Sequence, residues 1–215
     1  MEISLLFQPI IETIKMVVIS TVFASLLGIP IGVLLVLTED GGLRPNKVIY
    51  QLSNGFVNIA RSIPFIILMI LLFPLARFIV GTTIGTSATI VPLSIAAAPF
   101  FGRIIESALK EVDAGVLEAV KSMGANNREI VLKVMMPEAL PSIIRGITMM
   151  MINLVGYSAM AGAIGGGGLG DLAIRYGYHR YQMDVLIVSV LVIIVIVQLI
   201  QGVGNYSAQK ILDKR

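Results

Sequence analysis

Cysteine is absent from this chain, and histidine occurs once, as His179. The first absence excludes disulfides, thiolate metal sites and a cysteine nucleophile. Together they leave no nucleophile–base pair and no metal cluster from which an intramembrane enzyme could be built. Charge is scarce as well: 13% of the residues are Asp, Glu, Lys or Arg, against about 25% in soluble domains. Every acid lies at the end of an apolar run or between runs, which argues against a stand-alone secondary transporter or channel coupled through intramembrane carboxylates. No inverted repeat is evident. The pattern G-x-x-x-x-G-K-[ST] does not occur, so ATP must be bound by another polypeptide. Gly165, Gly167 and Gly170 match G-x-G-x-x-G, but after an apolar helix rather than a strand, so they carry no nucleotide reading. The first charges are Glu2 and Glu12, so the basic start of a cleavable signal peptide is missing.

What is present is apolar. Hydrophobic residues make up 56% and the mean hydropathy is +0.91. A spanning helix needs about 20 consecutive, mostly apolar residues. Uncharged runs occupy 16–38, 78–102, 146–170 and 185–209, and a fifth, 48–76, is interrupted only by Arg61. An all-α membrane protein is expected, with five spans near 14–37, 52–75, 87–107, 142–165 and 184–205. Pro30, Pro64, Pro74, Pro92 and Pro99 fall inside them. Each proline frees a carbonyl, which lipid does not tolerate unless neighbouring helices or water answer it. Kinked packing and helices that bend during gating both satisfy that condition.

The net charge of +3 is divided among short segments. It therefore reads as a topology signal rather than as a nucleic-acid surface. With five spans, the loops that share a side with the C-terminus hold eleven Lys and Arg, and the other side holds Lys15, Arg77, Arg175 and Arg180. The N-terminus is then outside and the C-terminus cytoplasmic. Six of the eleven lie in one polar stretch, 103–146: Arg103, Lys110, Lys121, Arg128, Lys133 and Arg145. Within it Asp113 can cap a helix over 114–123 that ends at Gly124, and Asn126 with Glu129 resembles a capping box for a second helix to about Met136. Pro137 and Pro141 then redirect the chain. Val116, Leu117 and Val120 lie at helical spacing, a face that could enter a partner's groove or lie on lipid.

The residues Glu118-Ala119-Val120, Gly124 and Val134-Met135-Met136-Pro137 resemble the EAA signature of bacterial ABC importer permeases. Glu, Ala, Gly and Pro are in register, with apolar changes at Val120, Val134 and Met136. The segments Arg61–Ile66, Ala97–Phe100, Pro137–Pro141 and Leu154–Met160 resemble the permease of the methionine ABC importer, and the likeness covers nearly the whole chain. That resemblance implies one transmembrane domain over 1–215 with its core at about 14–205, and 103–146 as its cytoplasmic coupling loop. It also implies a homodimer, two cytoplasmic ATPase subunits carrying ATP and Mg, and an external methionine-binding lipoprotein. The expected location is the bacterial cytoplasmic membrane, and the expected cargo is L- and D-methionine. No cofactor, metal or catalytic residue is expected on this chain. Val116, Leu117, Glu118, Ala119, Val120, Gly124 and Pro137 would form the ATPase contact.

A permease for another small amino acid or metabolite would carry the same architecture. Within the spans, Met160 among small residues is a candidate gate beside Tyr157 and Ser158, or a packing methionine. Arg61 either lines the pathway or snorkels to an interface. Tyr178, His179 and Tyr181 form an external cluster for lipid headgroups or for the binding protein.

Overall fold

The computed structural model describes residues 4–213, so Glu2, Lys214 and Arg215 of the charge pattern lie outside it. Among the described residues every regular element is helical. Helix α1 (Ser4–Thr38) is followed by α2 (Lys47–Ser62), α3 (Phe65–Val80) and α4 (Thr86–Lys110). The polar stretch folds as α5 (Ala114–Ser122), α6 (Asn127–Glu129), a π-helical segment (Ile130–Met135) and α7 (Met136–Glu138). Then come α8 (Leu140–Gly162), α9 (Gly168–Leu172), a second π-helical segment (Ala173–Tyr178) and α10 (Met183–Leu212).

Four helices, α1, α4, α8 and α10, are long and apolar enough to cross a membrane. The expected second span, 52–75, is not one helix. It is α2 and α3 meeting at a bend of 106°. Pro64 explains the break: the residue before a proline is driven out of the helical region, and Ile63 is extended at φ −79°, ψ 124°. Two further boundaries differ from expectation. Helix α1 begins about ten residues early and carries Glu12 and Lys15 within it. The segment after 165, expected to be a loop, contains α9 and a π-helical turn, with Leu169 and Leu172 buried.

Helix α4 is the hub. It packs on α1, α2, α3 and α8, and Leu93, Phe101 and Ile105 are fully enclosed there. Its contact with α1 is a crossing of small residues. A Cβ on Gly32 would stand 2.5 Å from the Gly102 carbonyl oxygen, and one on Gly28 would stand 2.9 Å from that of Ala98. Lipid is as apolar as a side chain, so close backbone approach and dispersion hold such helices together.

Polar groups fasten both ends of this core. Glu106 of α4 is buried and accepts from Arg103 at 2.6 Å and Lys110 at 2.9 Å, and Lys110 also pairs with Glu39 at 2.6 Å. The Arg103 guanidinium continues the network by donating to Asn54 and Asn58 of α2. At the far end, the Gly168 N–H donates to Glu12 Oε2 at 2.8 Å, and the Leu169 N–H donates to Thr13 Oγ1 at 2.9 Å. Helix α1 thereby caps α9.

Candidate coupling loop and pathway face

Two local capping signals build the polar stretch. Asp113 accepts from the Val116 N–H at 3.2 Å and starts α5. Gly124 stands at φ +83°, a conformation that side chains with a Cβ rarely adopt, and turns the chain out of α5. Asn126 and Glu129 then form the reciprocal capping box, with bonds of 3.0 and 3.2 Å. The Glu129 carboxyl is held below its ordinary pKa, chiefly by the Asn126 N–H and secondly by Lys133.

The second helix of the stretch runs on as foreseen but opens into a π-helical segment at Ile130–Met135, directly before Pro137. Proline has no N–H to donate, and wide turns of this kind mark places where the α-helical ladder is interrupted. Helicity then resumes through α7 into α8 with a turn only at Ala139, and Ile143 N–H donates to the Ala139 carbonyl at 2.9 Å. Asn127 Nδ2 donates to the Leu43 carbonyl at 3.2 Å and ties this segment to the α1–α2 connection.

The apolar face foreseen for α5 divides. Leu117 and Val120 are half-buried against the chain's own core beside Ile130, Val131 and Met135. Val116, Glu118, Ala119, Lys121 and Ser122 are exposed, and so are Gly124 and Pro137. Helix α5 is thus seated on the π-helical segment by two residues and shows the rest of its circumference outward.

The expected gate residues also separate. Tyr157 stacks on Phe65 at the start of α3, with ring centroids 4.4 Å apart. Ser158 is buried, and its hydroxyl donates to the Val155 carbonyl at 2.7 Å. Met160 is 51% exposed and lies outside the buried apolar clusters. Arg61, the penultimate residue of α2, is exposed, with its guanidinium 6.0 Å from the Phe100 ring centre. Tyr178 and His179 meet edge to face at 5.3 Å on an exposed corner, and Tyr181 beside them is also exposed. Sequence reasoning missed the Glu106 network. Asn54 and Asn58, four residues apart on one helix face, were a partial signal for it.

The model for the binding-protein-dependent transport system inner membrane component family matches residues 24–215. The chain belongs to this family. Among curated relatives, a probable D-methionine transport system permease protein of Pasteurella multocida is 50% identical over 200 residues, covering 93% of this chain and 92% of that one. The methionine import system permease protein of Bacillus subtilis is 48% identical, covering 85% and 82%. A solved structure of inward-facing conformations of the MetNI methionine ABC transporter superposes with a TM-score of 0.92 at 44% identity, over 93% of each chain. The fold described above is therefore that of a transporter permease subunit, a multi-pass membrane protein.

Proposed function

We propose that this chain is the permease subunit of an ATP-driven methionine importer in the bacterial cytoplasmic membrane. The observation that carries the proposal is α5. It is a capped helix seated by Leu117 and Val120, and it offers Val116, Glu118 and Ala119 to a partner. Relatives near half identity are described as methionine permeases, which supports the substrate. The α2–α3 pair counts as one bent span, making five. The excess of Lys and Arg beside α5 supports a topology with α5 and the C-terminus in the cytoplasm and the N-terminus outside.

Two copies of the single domain 1–215 form the pathway. Each presents its 103–146 loop to one of two ATPase subunits, and those subunits hold ATP and Mg. An external lipoprotein delivers L- or D-methionine. When ATP closes the ATPase pair, α5 moves with it. The displacement passes through Gly124, the π-helical segment and Pro137 into α8, because Asn127 to Gly162 is helical almost without interruption. Met160 closes the pathway, with Tyr157 and Ser158 holding that part of α8 and Arg61 lining the approach. The chain itself performs no chemistry.

The deciding experiment is uptake of labelled L-methionine by vesicles holding this permease with its ATPase and binding protein. Uptake should require ATP and be suppressed by unlabelled L- or D-methionine. ATP hydrolysis without uptake discards methionine and keeps the importer. Glu118→Lys should reduce co-purification of the ATPase while the permease keeps its yield, and full co-purification with full coupling removes α5 from the interface. Met160→Ala should raise basal ATP hydrolysis or ion leak, and no change in either removes it as the gate.

A further inference from the structure

Between Pro141 and Gly162 of α8, the exposed residues are Arg145, Met149, Asn153, Gly156 and Met160. At 3.6 residues per turn these five fall within about 80° of one another, so they form a single stripe along the helix. Around the rest of the helix every residue is buried or half-buried. The stripe does not read as a lipid-facing surface. Asn153 sits at mid-helix with no hydrogen-bond partner among the described residues, and an amide in hydrocarbon must find protein or water. Continuity with Met160 therefore puts the whole stripe on the aqueous pathway, in keeping with the function proposed above, on which this inference rests.

Toward the α5 end, the stripe runs into a cleft of about 380 Å³ between α2, α4 and α8. Arg61, Arg103 and Arg145 line it, facing one carboxylate, Glu111. Glu111 already accepts from Ser142 at 2.5 Å. Arg103 is engaged by Glu106, Asn54 and Asn58. Arg61 has the Phe100 ring as its neighbour and no carboxylate, and Arg145 has no polar partner among the described residues. Two guanidinium groups are thus left unanswered in a cleft whose other wall is Phe100, Ile104 and Met149. A guanidinium binds a carboxylate through two parallel N–H···O bonds, and a thioether packs well on an aromatic ring and on another methionine.

We propose that the Arg61–Arg145 cleft is a carboxylate-reading subsite on the α5 side of Met160, holding the amino-acid substrate by its α-carboxylate with its side chain against Phe100 and Met149. It receives substrate that has passed the gate and keeps it from re-entering the narrow part of the pathway.

Photo-methionine, a diazirine analogue that keeps both the amino and carboxylate groups, tests this on the intact permease–ATPase complex without nucleotide. Irradiation should label peptides that contain Phe100, Ile104 or Met149. Excess L-methionine should suppress the labelling, and methioninol, whose carboxylate is reduced to an alcohol, should not. The double variant Arg61→Gln/Arg145→Gln should lower labelling about tenfold, the scale of a lost charge-assisted hydrogen bond. Arg61→Lys/Arg145→Lys should fall between the two, because an ammonium keeps the charge and loses the two-pronged geometry.

Equal competition by methioninol, labelling unchanged in the glutamine variant, or no labelling in the cleft each overturns the proposal. Should the glutamine variant fail to assemble, the competition on the wild-type complex still decides. If phosphatidylglycerol co-purifies with the wild type, is lost in the glutamine variant, and no label appears, the cleft is a lipid headgroup site instead. If the wild-type complex imports methionine and the cleft stays unlabelled, only the subsite falls. If it imports none, the substrate reading falls first.

Discussion

Helices α4 and α10 are both apolar and both long enough to span a membrane, yet 14 of the 25 residues of α4 are buried and only Val185, Ser189 and Ala208 of the 30 in α10 are. The more continuously apolar helix is the less buried one. In water that order would be perverse. In lipid it follows, because exposure of Leu191, Ile194 or Val195 costs nothing there. What gives α4 its central place is its small residues and its polar ones. Ala98 and Gly102 let α1 approach, and Glu106 binds two cations. Helix α10 lacks such groups along most of its length. It is held at its start by the cluster of Leu6, Leu169, Leu172 and Val185, and further along by Gly204 seated on Thr148.

The largest effect should come from the polar end of the buried helix. Glu106→Ala leaves Arg103 and Lys110 without their shared carboxylate. Breaking a buried ion pair from one side costs about 3–5 kcal/mol, and the low end applies because Arg103 and Lys110 keep some contact with solvent. The thermal midpoint of the purified permease should fall further than for Gly32→Val, Glu12→Ala or Leu191→Ala. A shift no greater than that of a lipid-facing substitution would show that α4 is held by packing alone.

Gly32→Val comes next. A side chain there meets the Gly102 carbonyl and Ile105, backbone and β-branched atoms that have little room to give. Overpacking costs about 1–3 kcal/mol, read as a lower midpoint and a lower yield of monodisperse protein. Wild-type behaviour would mean that α1 and α4 slide apart without penalty, contrary to a close-contact crossing.

Glu12→Ala tests how α10 is anchored. The Gly168 N–H loses its acceptor, at about 1 kcal/mol for one unanswered donor, and α9 loosens on the cluster that holds the start of α10. Hydrogen exchange should quicken at 168–172 and at the first turns of α10, while α4 remains protected. Equal protection in the variant would show that α9 is secured by Leu169 and Leu172 without its cap.

These same groups separate what sequence could disclose from what it could not. The uncharged runs announced α1, α4, α8 and α10, because a bilayer demands length and apolarity together and few soluble helices satisfy both. Asp113, Gly124 and the Asn126–Glu129 pair were legible because capping is settled within four residues of chain. The break at Pro64 was hidden because 48–76, with Arg61 as its one charge, is long enough to read as a single kinked span. Helix α9 was hidden because a run of four glycines carries no helical period, and its cap comes from Glu12, 156 positions away. Leu117 and Val120 read correctly as an apolar face, but a face at helical spacing does not say whether it meets a partner or its own chain. The single stripe on α8 was beyond the sequence for the opposite reason: Arg145, Met149, Asn153, Gly156 and Met160 mix charged, apolar and amide groups and have in common only a direction.

The smallest effect is the one on which the comparison turns. Leu191 is 55% exposed in the first third of α10, the most hydropathic of the four long spans. Leu→Ala in a packed core costs about 2–5 kcal/mol, through lost contacts and the cavity left behind. At Leu191 lipid chains fill the space and the transfer term is close to nil, so the midpoint should move by no more than the roughly 0.5 kcal/mol typical of surface changes. The companion measurement is Leu93→Ala on α4, where the side chain is fully enclosed and the ordinary core penalty applies. A large loss at both positions would mean that α10 meets another polypeptide at Leu191, and its exposed face would then be an assembly surface rather than a boundary with lipid.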